Sequence, residues 1–167
     1  AYDSRIIDDI YNSYFSKGDY FGYSISLFDD YVIIGAYGKE PASQSITADM
    51  GACYIFKRNC EEWIYIKKIV SNDRDLYDKF GASVSLFKDY ALIGAHGDDD
   101  NGSDSGSAYI YNHDGTGEVK ITDSAVDAQD NFGAAVAVGE NKVVVGCAGY
   151  DGASGGTSNA GAIFVYN

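Results

Sequence analysis

The residues best equipped for chemistry are carboxylates. Gly97 Asp98 Asp99 Asp100 Asn101 Gly102 Ser103 Asp104 places acids at alternate positions around a glycine bend. Hard cations take several oxygen ligands gathered by a tight turn, so Asp98, Asp100 and Asp104 form a candidate calcium set, without the closing glutamate of an EF-hand loop. The same stretch holds Asn101-Gly102-Ser103, a sequon for N-glycosylation on what reads as an exposed loop, and a glycan there would crowd a bound ion. A carboxylate pair working as acid and base on a glycan is the hydrolytic alternative, since that chemistry needs only two such groups. Other catalytic patterns are missing. His96 and His113 have no nucleophile motif beside them, and neither a Gly-x-Ser-x-Gly elbow nor a phosphate-binding loop occurs. The chain is read as non-catalytic.

Tyr37, His96 and Tyr150 stand at loop entrances near these acids and are the candidate ligand-contacting residues. Cys53 and Cys60 flank Lys57-Arg58, and a hairpin turn there would bring them together as a disulfide, which suits an oxidising compartment. Cys147 falls in an apolar strand and reads as a small core residue.

The elements that must carry these residues follow from a threefold internal repeat. Phe21-Gly22, Phe80-Gly81 and Phe132-Gly133 each open a unit. Each is followed by an apolar run ending in Gly35-Ala36, Gly94-Ala95 or Gly146-Cys147, then by a third run opening at Gly51, Gly106 or Gly161. Asp19, Asp78 and Asp130 stand two residues before each phenylalanine. The spacing suits about four short strands per unit. A weaker fourth strand follows the first unit at Trp63–Val70 and the second at Glu118–Thr122, while the third unit has none. Arg5–Ile10 precedes the first Phe-Gly and reads as a spare strand. The predicted organisation is one repeat domain: residues 1–20 as spare strand and crossover, then blades at 21–79, 80–131 and 132–167.

Composition agrees with an all-β chain. Its 167 residues are 46% hydrophobic and 22% charged, with 20 Gly, 15 Tyr, 8 Phe and one Pro, as expected of short strands joined by tight turns. A net charge of -13 repels phosphate backbones and anionic lipid, which argues against nucleic acid and membrane partners. No stretch reaches the length of a membrane-spanning helix. The N-terminus has neither basic start nor apolar core, and is read as carrying no uncleaved signal peptide.

These Phe-Gly and Gly-Ala pairs, three in register, resemble the FG-GAP repeats of integrin-α-like β-propellers, although the proline of the GAP half is replaced by Tyr37, His96 and Ala148. The resemblance implies an all-β propeller segment, secreted or at the cell surface, serving adhesion or protein assembly. The family's calcium loops lie between the first and second strands, where this chain has only Phe28-Asp29-Asp30, Phe87-Lys88-Asp89 and Gly139-Glu140-Asn141, so those metal sites do not carry over.

Three blades cannot close a ring, and unpaired terminal repeats need a cover. The spare strand of one chain is therefore expected to complete the last blade of a neighbour, giving a homo-oligomeric ring or, head to tail, a filament; the alternatives are a longer parent propeller or closure within one chain. Strand parity puts the loops between second and third strands at the same end as the crossovers between blades. Most of the acids collect on that rim, where a protein or glycan ligand would bind.

Overall fold

The computed structural model describes residues 17–41, 48–152 and 159–167, which form eleven strands and no helix. The spare strand predicted at residues 5–10 lies outside the described residues. Three antiparallel sheets follow one another along the chain. β1 (Ser24–Phe28), β2 (Tyr31–Ala36), β3 (Ala52–Asn59) and β4 (Glu62–Ile69) make blade 1 in that spatial order. β5 (Ser83–Phe87), β6 (Tyr90–Ala95), β7 (Ser107–Asn112) and β8 (Val119–Ile121) make blade 2. β9 (Phe132–Val138), β10 (Val143–Cys147) and β11 (Ala162–Tyr166) make a three-stranded blade 3. Two-residue turns at Asp29-Asp30 and Lys88-Asp89 set the first hairpins, pairing Phe28 with Tyr31 and Phe87 with Tyr90.

The second strand of each of the first two blades is buried on both faces, and in blade 2 this is because a neighbouring sheet covers each side. Ile33, Cys53 and Ile55 of blade 1 pack with Leu86, Ile93 and Tyr109 of blade 2, and Leu92 and Ala108 of blade 2 pack with Phe132, Val145 and Cys147 of blade 3. Serines tie the blades together. Ser24 donates to the Gly81 carbonyl at 2.7 Å, and Ser26 accepts from the Leu86 amide at 2.9 Å. Ser83 and Ser85 repeat both bonds to Gly133 and Val138 at 2.7 and 3.0 Å.

The repeated motifs have mechanical explanations. Phe80 stands edge-on to Tyr109 and Tyr111 of its own blade, at 5.3 and 6.2 Å between ring centres. Phe21 does the same to Tyr54 and Phe56, and Phe132 to Phe164 and Tyr166. Asp78 and Asp130 are buried and accept the amides three residues upstream, Asp75 and Asp127, while their own carbonyls accept the amides of Gly97 and Gly149. At Gly97 a Cβ would lie 2.0 Å from the Tyr77 carbonyl, so only glycine lets this loop close on the crossover.

The disulfide expectation is overturned. β3 runs through Lys57-Arg58 to Asn59, which pairs with Glu62, so the turn is Cys60-Glu61 and Cys53 pairs with Ile69 at the other end of the hairpin. At a strand rise of about 3.3 Å per residue the two cysteines stand on the order of 20 Å apart, against the roughly 6 Å a disulfide needs. Both are free, Cys53 buried and Cys60 exposed. Cys147 is buried, with its thiol directed at the Asp130 carbonyl at 3.3 Å.

Candidate functional site

The crossover from blade 1 to blade 2 meets the β6–β7 loop on one rim. The Gly97 and Gly106 amides bond the Asp78 and Asp98 carbonyls and hold the loop closed. The next crossover reaches the same loop from the far side through Gln129 to Ser103 and Asn131 to Asp104. This places Asp73, from the first crossover, beside Asp98 and Asp100, with carboxylate oxygens of all three within 4.8 Å of one another.

Asp104 does not join them. Its backbone is left-handed, at φ 52°, and its carboxylate turns toward Lys79 at 4.0 Å. The candidate calcium set is therefore corrected to Asp73, Asp98 and Asp100, and the middle of that set already contains a cation. Lys120 on β8 donates to Asp73, Asp98 and Asp100 at 2.7, 2.8 and 2.5 Å. The cause is register. Lys120 pairs with Tyr109 across β7–β8, and the Tyr109 hydroxyl points into the same cluster, 2.8 Å from Asp98 and 3.0 Å from Asp73. Ser107 adds a donor to Asp98 at 2.9 Å.

Burial works against the Lys120 charge, but the hydrogen bonds to Asp100, Asp73 and Asp98 outweigh it and hold the ammonium well above its ordinary range. Burial likewise opposes charge on Asp73, yet the contact with Lys120 leaves its carboxyl below the ordinary range. A tethered ammonium thus provides part of the charge compensation that a divalent ion would otherwise supply, and it withdraws Asp98 oxygens from coordination. The residues do not fit calcium while Lys120 stays in place.

Among the described carboxyls, Asp78 has the most altered proton affinity. Burial drives it up to about 7, with the charges of Asp98, Asp75 and Asp73 adding to the shift and the Asp75 amide opposing it. A raised carboxyl beside ionised ones is what glycoside chemistry requires. Asp78, however, is buried among backbone groups, with its Oδ2 committed to that amide, and offers no substrate a route to its proton.

The three candidate ligand residues occupy separate surroundings. Tyr37 stacks on Tyr20 at 4.8 Å and meets Tyr23 edge-on at 4.6 Å. His96 keeps a buried Nδ1 with no hydrogen-bond partner, and burial, then Lys79, press its pKa below the ordinary value, with Asp104 opposing. Tyr150 packs edge-on against Phe164 at 5.6 Å. Asn101 is exposed as a glycan acceptor must be, with its amide nitrogen 3.4 Å from the Asp123 carbonyl.

Sequence reasoning missed Asp73, Lys120 and Tyr109 as a group. Each is ordinary in its own segment, and the available signal was the expected pairing of the second blade's third and fourth strands, which sets Lys120 opposite Tyr109. Blade 1 shows what a change of charge does in the same slots. Lys39 stands where blade 2 has Asp98, and it pairs with buried Asp19 at 2.6 Å. Lys68, paired with Tyr54 as Lys120 is with Tyr109, is pressed by burial, then by Arg74 and Lys39, down to about 8.

The sequence model of one repeat family matches three segments of the chain, residues 13–56, 63–111 and 116–166, and its description is FG-GAP repeat. No curated protein shows a significant match.

Proposed function

The chain belongs to the FG-GAP repeat family, and on that premise we propose that it is a non-catalytic β-propeller module acting outside the cell, secreted or at its surface, in adhesion or protein assembly, with copies joined by strand complementation. The observation that carries this reading is the third sheet. Blades 1 and 2 end on β4 and β8, whereas β11 is the outermost described strand of blade 3 and has no fourth strand beside it among the described residues. An edge of this kind is a template for an added strand. Two three-bladed copies exchanging strands reciprocally make a closed ring of six blades; exchange without closure makes an extracellular filament.

The rim supports a binding role over catalysis. Its most acidic cluster is already occupied by the Lys120 ammonium, and its perturbed carboxyl, Asp78, is buried. The partners this rim suits are basic proteins or glycans, and Asn101 carries a glycan if the chain passes through a secretory route. Solution mass tests the assembly reading directly: a discrete dimer supports ring closure, a ladder supports the filament, and a monomer at every concentration overturns both.

A further inference from the structure

Within the chain, each joint between blades is made chiefly by the first strand of the later blade. β5 lies on β1 and β2, and β9 lies on β5, β6 and β7. The residues so covered are sealed: Cys53 and Ile55 on β3, and Ala108 on β7, are 0% exposed. Blade 3 presents the equivalent positions exposed, with no other strand over them among the described residues. Ile163 is 72% and Val165 52% exposed, and Ala135 and Ala137 beside them are exposed too. Among the described residues, no strand position on this face carries a charge.

Blade 1 presents the opposite half of such a joint. Ser24 and Ser26 face blade 2, so Ile25 and Leu27 face away from it. They stand at 61% and 62% exposure in the positions where Val84 and Leu86, or Val136 and Val138, press on a preceding blade. Val32, Ile34, Tyr54 and Phe56 on the same side are buried, which leaves β1 as the exposed ridge, and it is the first strand that makes these joints.

The backbone carries the same complementarity. A Cβ on Gly35 or Gly94 would fall 2.0 Å from the carbonyl of Gly81 or Gly133 in the next blade. Gly146 keeps glycine at the third of these positions, yet the nearest atom to its missing Cβ is the Ala135 Cβ of its own sheet, at 3.3 Å. The carbonyl equivalent to those of Gly81 and Gly133 belongs to Gly22, where an added Cβ would meet nothing within 4 Å. The exposed joint surface is thus the face of blade 3 at one end of the array and strand β1 at the other.

We infer that the outer face of blade 3, β9-β10-β11, is a docking surface for strand β1 of a second copy of this chain, with the Gly22 carbonyl of that copy seated over Gly146 and its Ile25 and Leu27 against Ile163 and Val165. The inference rests on the reading that copies of this chain assemble, and it replaces strand complementation at the sheet's edge with contact on the sheet's face. Ala135 and Ala137 replace the serines that bond the internal joints, so the joint between copies lacks two hydrogen bonds and is the weaker, reversible one.

Sedimentation of the full chain over a range of concentrations tests this. Ile163→Glu alters an exposed position and Gly146→Ala fills the carbonyl seat with one methyl group. Each should weaken self-association at least tenfold with the thermal transition of the folded chain retained. Ala135→Ser with Ala137→Ser should instead tighten it, by roughly tenfold for two added hydrogen bonds, whereas unspecific apolar adhesion would weaken on gaining hydroxyls. Ile7→Pro separates the two levels, because proline blocks an added strand. Loss of association with Ile163→Glu but not with Ile7→Pro supports face docking and removes strand complementation. The reverse pattern, a wild-type monomer, or a serine variant that associates no better overturns the docking inference.

Discussion

Lys120 decides what the acidic loop can bind. Its ammonium satisfies three carboxylates that come from two different segments, and one of them, Asp98, is buried. Removing one partner of such a group leaves uncompensated charge. Lys120→Met should therefore cost about 1–3 kcal/mol in denaturant unfolding, less than the roughly 3–5 kcal/mol of a fully buried broken pair because the cluster is partly hydrated. The same substitution leaves Asp73, Asp98 and Asp100 without their internal cation. We expect the variant to gain a chelator-sensitive melting temperature in calcium, while the wild type shows no shift; a calcium-dependent wild type would mean that Lys120 can be displaced. Asp78 makes a second residue-level prediction, through its proton. The folded state raises its carboxyl to about 7. It then holds a proton that the unfolded chain releases in the ordinary carboxylate range, so its contribution to stability is present at acid pH and is lost as pH climbs from about 4 to about 7. Asp78→Asn keeps an acceptor for the Asp75 amide and has no proton to lose. The variant should gain about 1–3 kcal/mol over wild type at about pH 8 and nothing at about pH 4, as read from paired unfolding curves.

Each blade is locked by its opening phenylalanine, and the blades do not weigh equally. Phe80 and Phe132 are fully buried, against an aromatic pair below and the preceding blade beside them, whereas Phe21 is only partly buried. Phe80→Ala and Phe132→Ala should each cost about 3–5 kcal/mol, and Phe21→Ala clearly less, measured by the denaturant midpoint at unchanged slope. Equal costs at all three positions would show that blade 1 is covered as completely as the others. This level of organisation was legible in the sequence because it repeats. Phe-Gly, Gly-Ala and the third-strand glycine recur in register, and β4 and β8 match the weaker runs predicted near Trp63–Val70 and Glu118–Thr122 to within a residue at each end. The cysteines were not legible in this way. Lys57-Arg58 carries no turn signal of its own, and β3 extends through it to the left-handed Cys60, at φ 58°, which opens the true turn. Nor was the rim cluster. Asp73 reaches Asp98 only after blade 1 has stacked on blade 2, and Lys120 reaches both only through the β7–β8 register, so no local spacing encodes the trio.

At the scale of the whole molecule, charge and apolar surface act against each other. The chain carries -13 overall, and two copies approaching each other repel. The faces proposed to meet, Ile25 and Leu27 on one side and Ile163 and Val165 on the other, are apolar and sit on strands away from the acidic loops. Added salt therefore screens the repulsion between copies and takes nothing from the joint itself. Screening lengths fall from roughly 14 Å at about 50 mM salt to roughly 4 Å at about 500 mM. Self-association should strengthen over that range, by about threefold or more in sedimentation equilibrium. Association built on ion pairs between the acidic rim and the sparse lysines would weaken with the same additions. The sign of the salt response thus distinguishes copies held by open blade faces from copies held by their charged loops, and Ile163→Glu, which adds a carboxylate to the apolar face, should leave the chain monomeric at both salt concentrations.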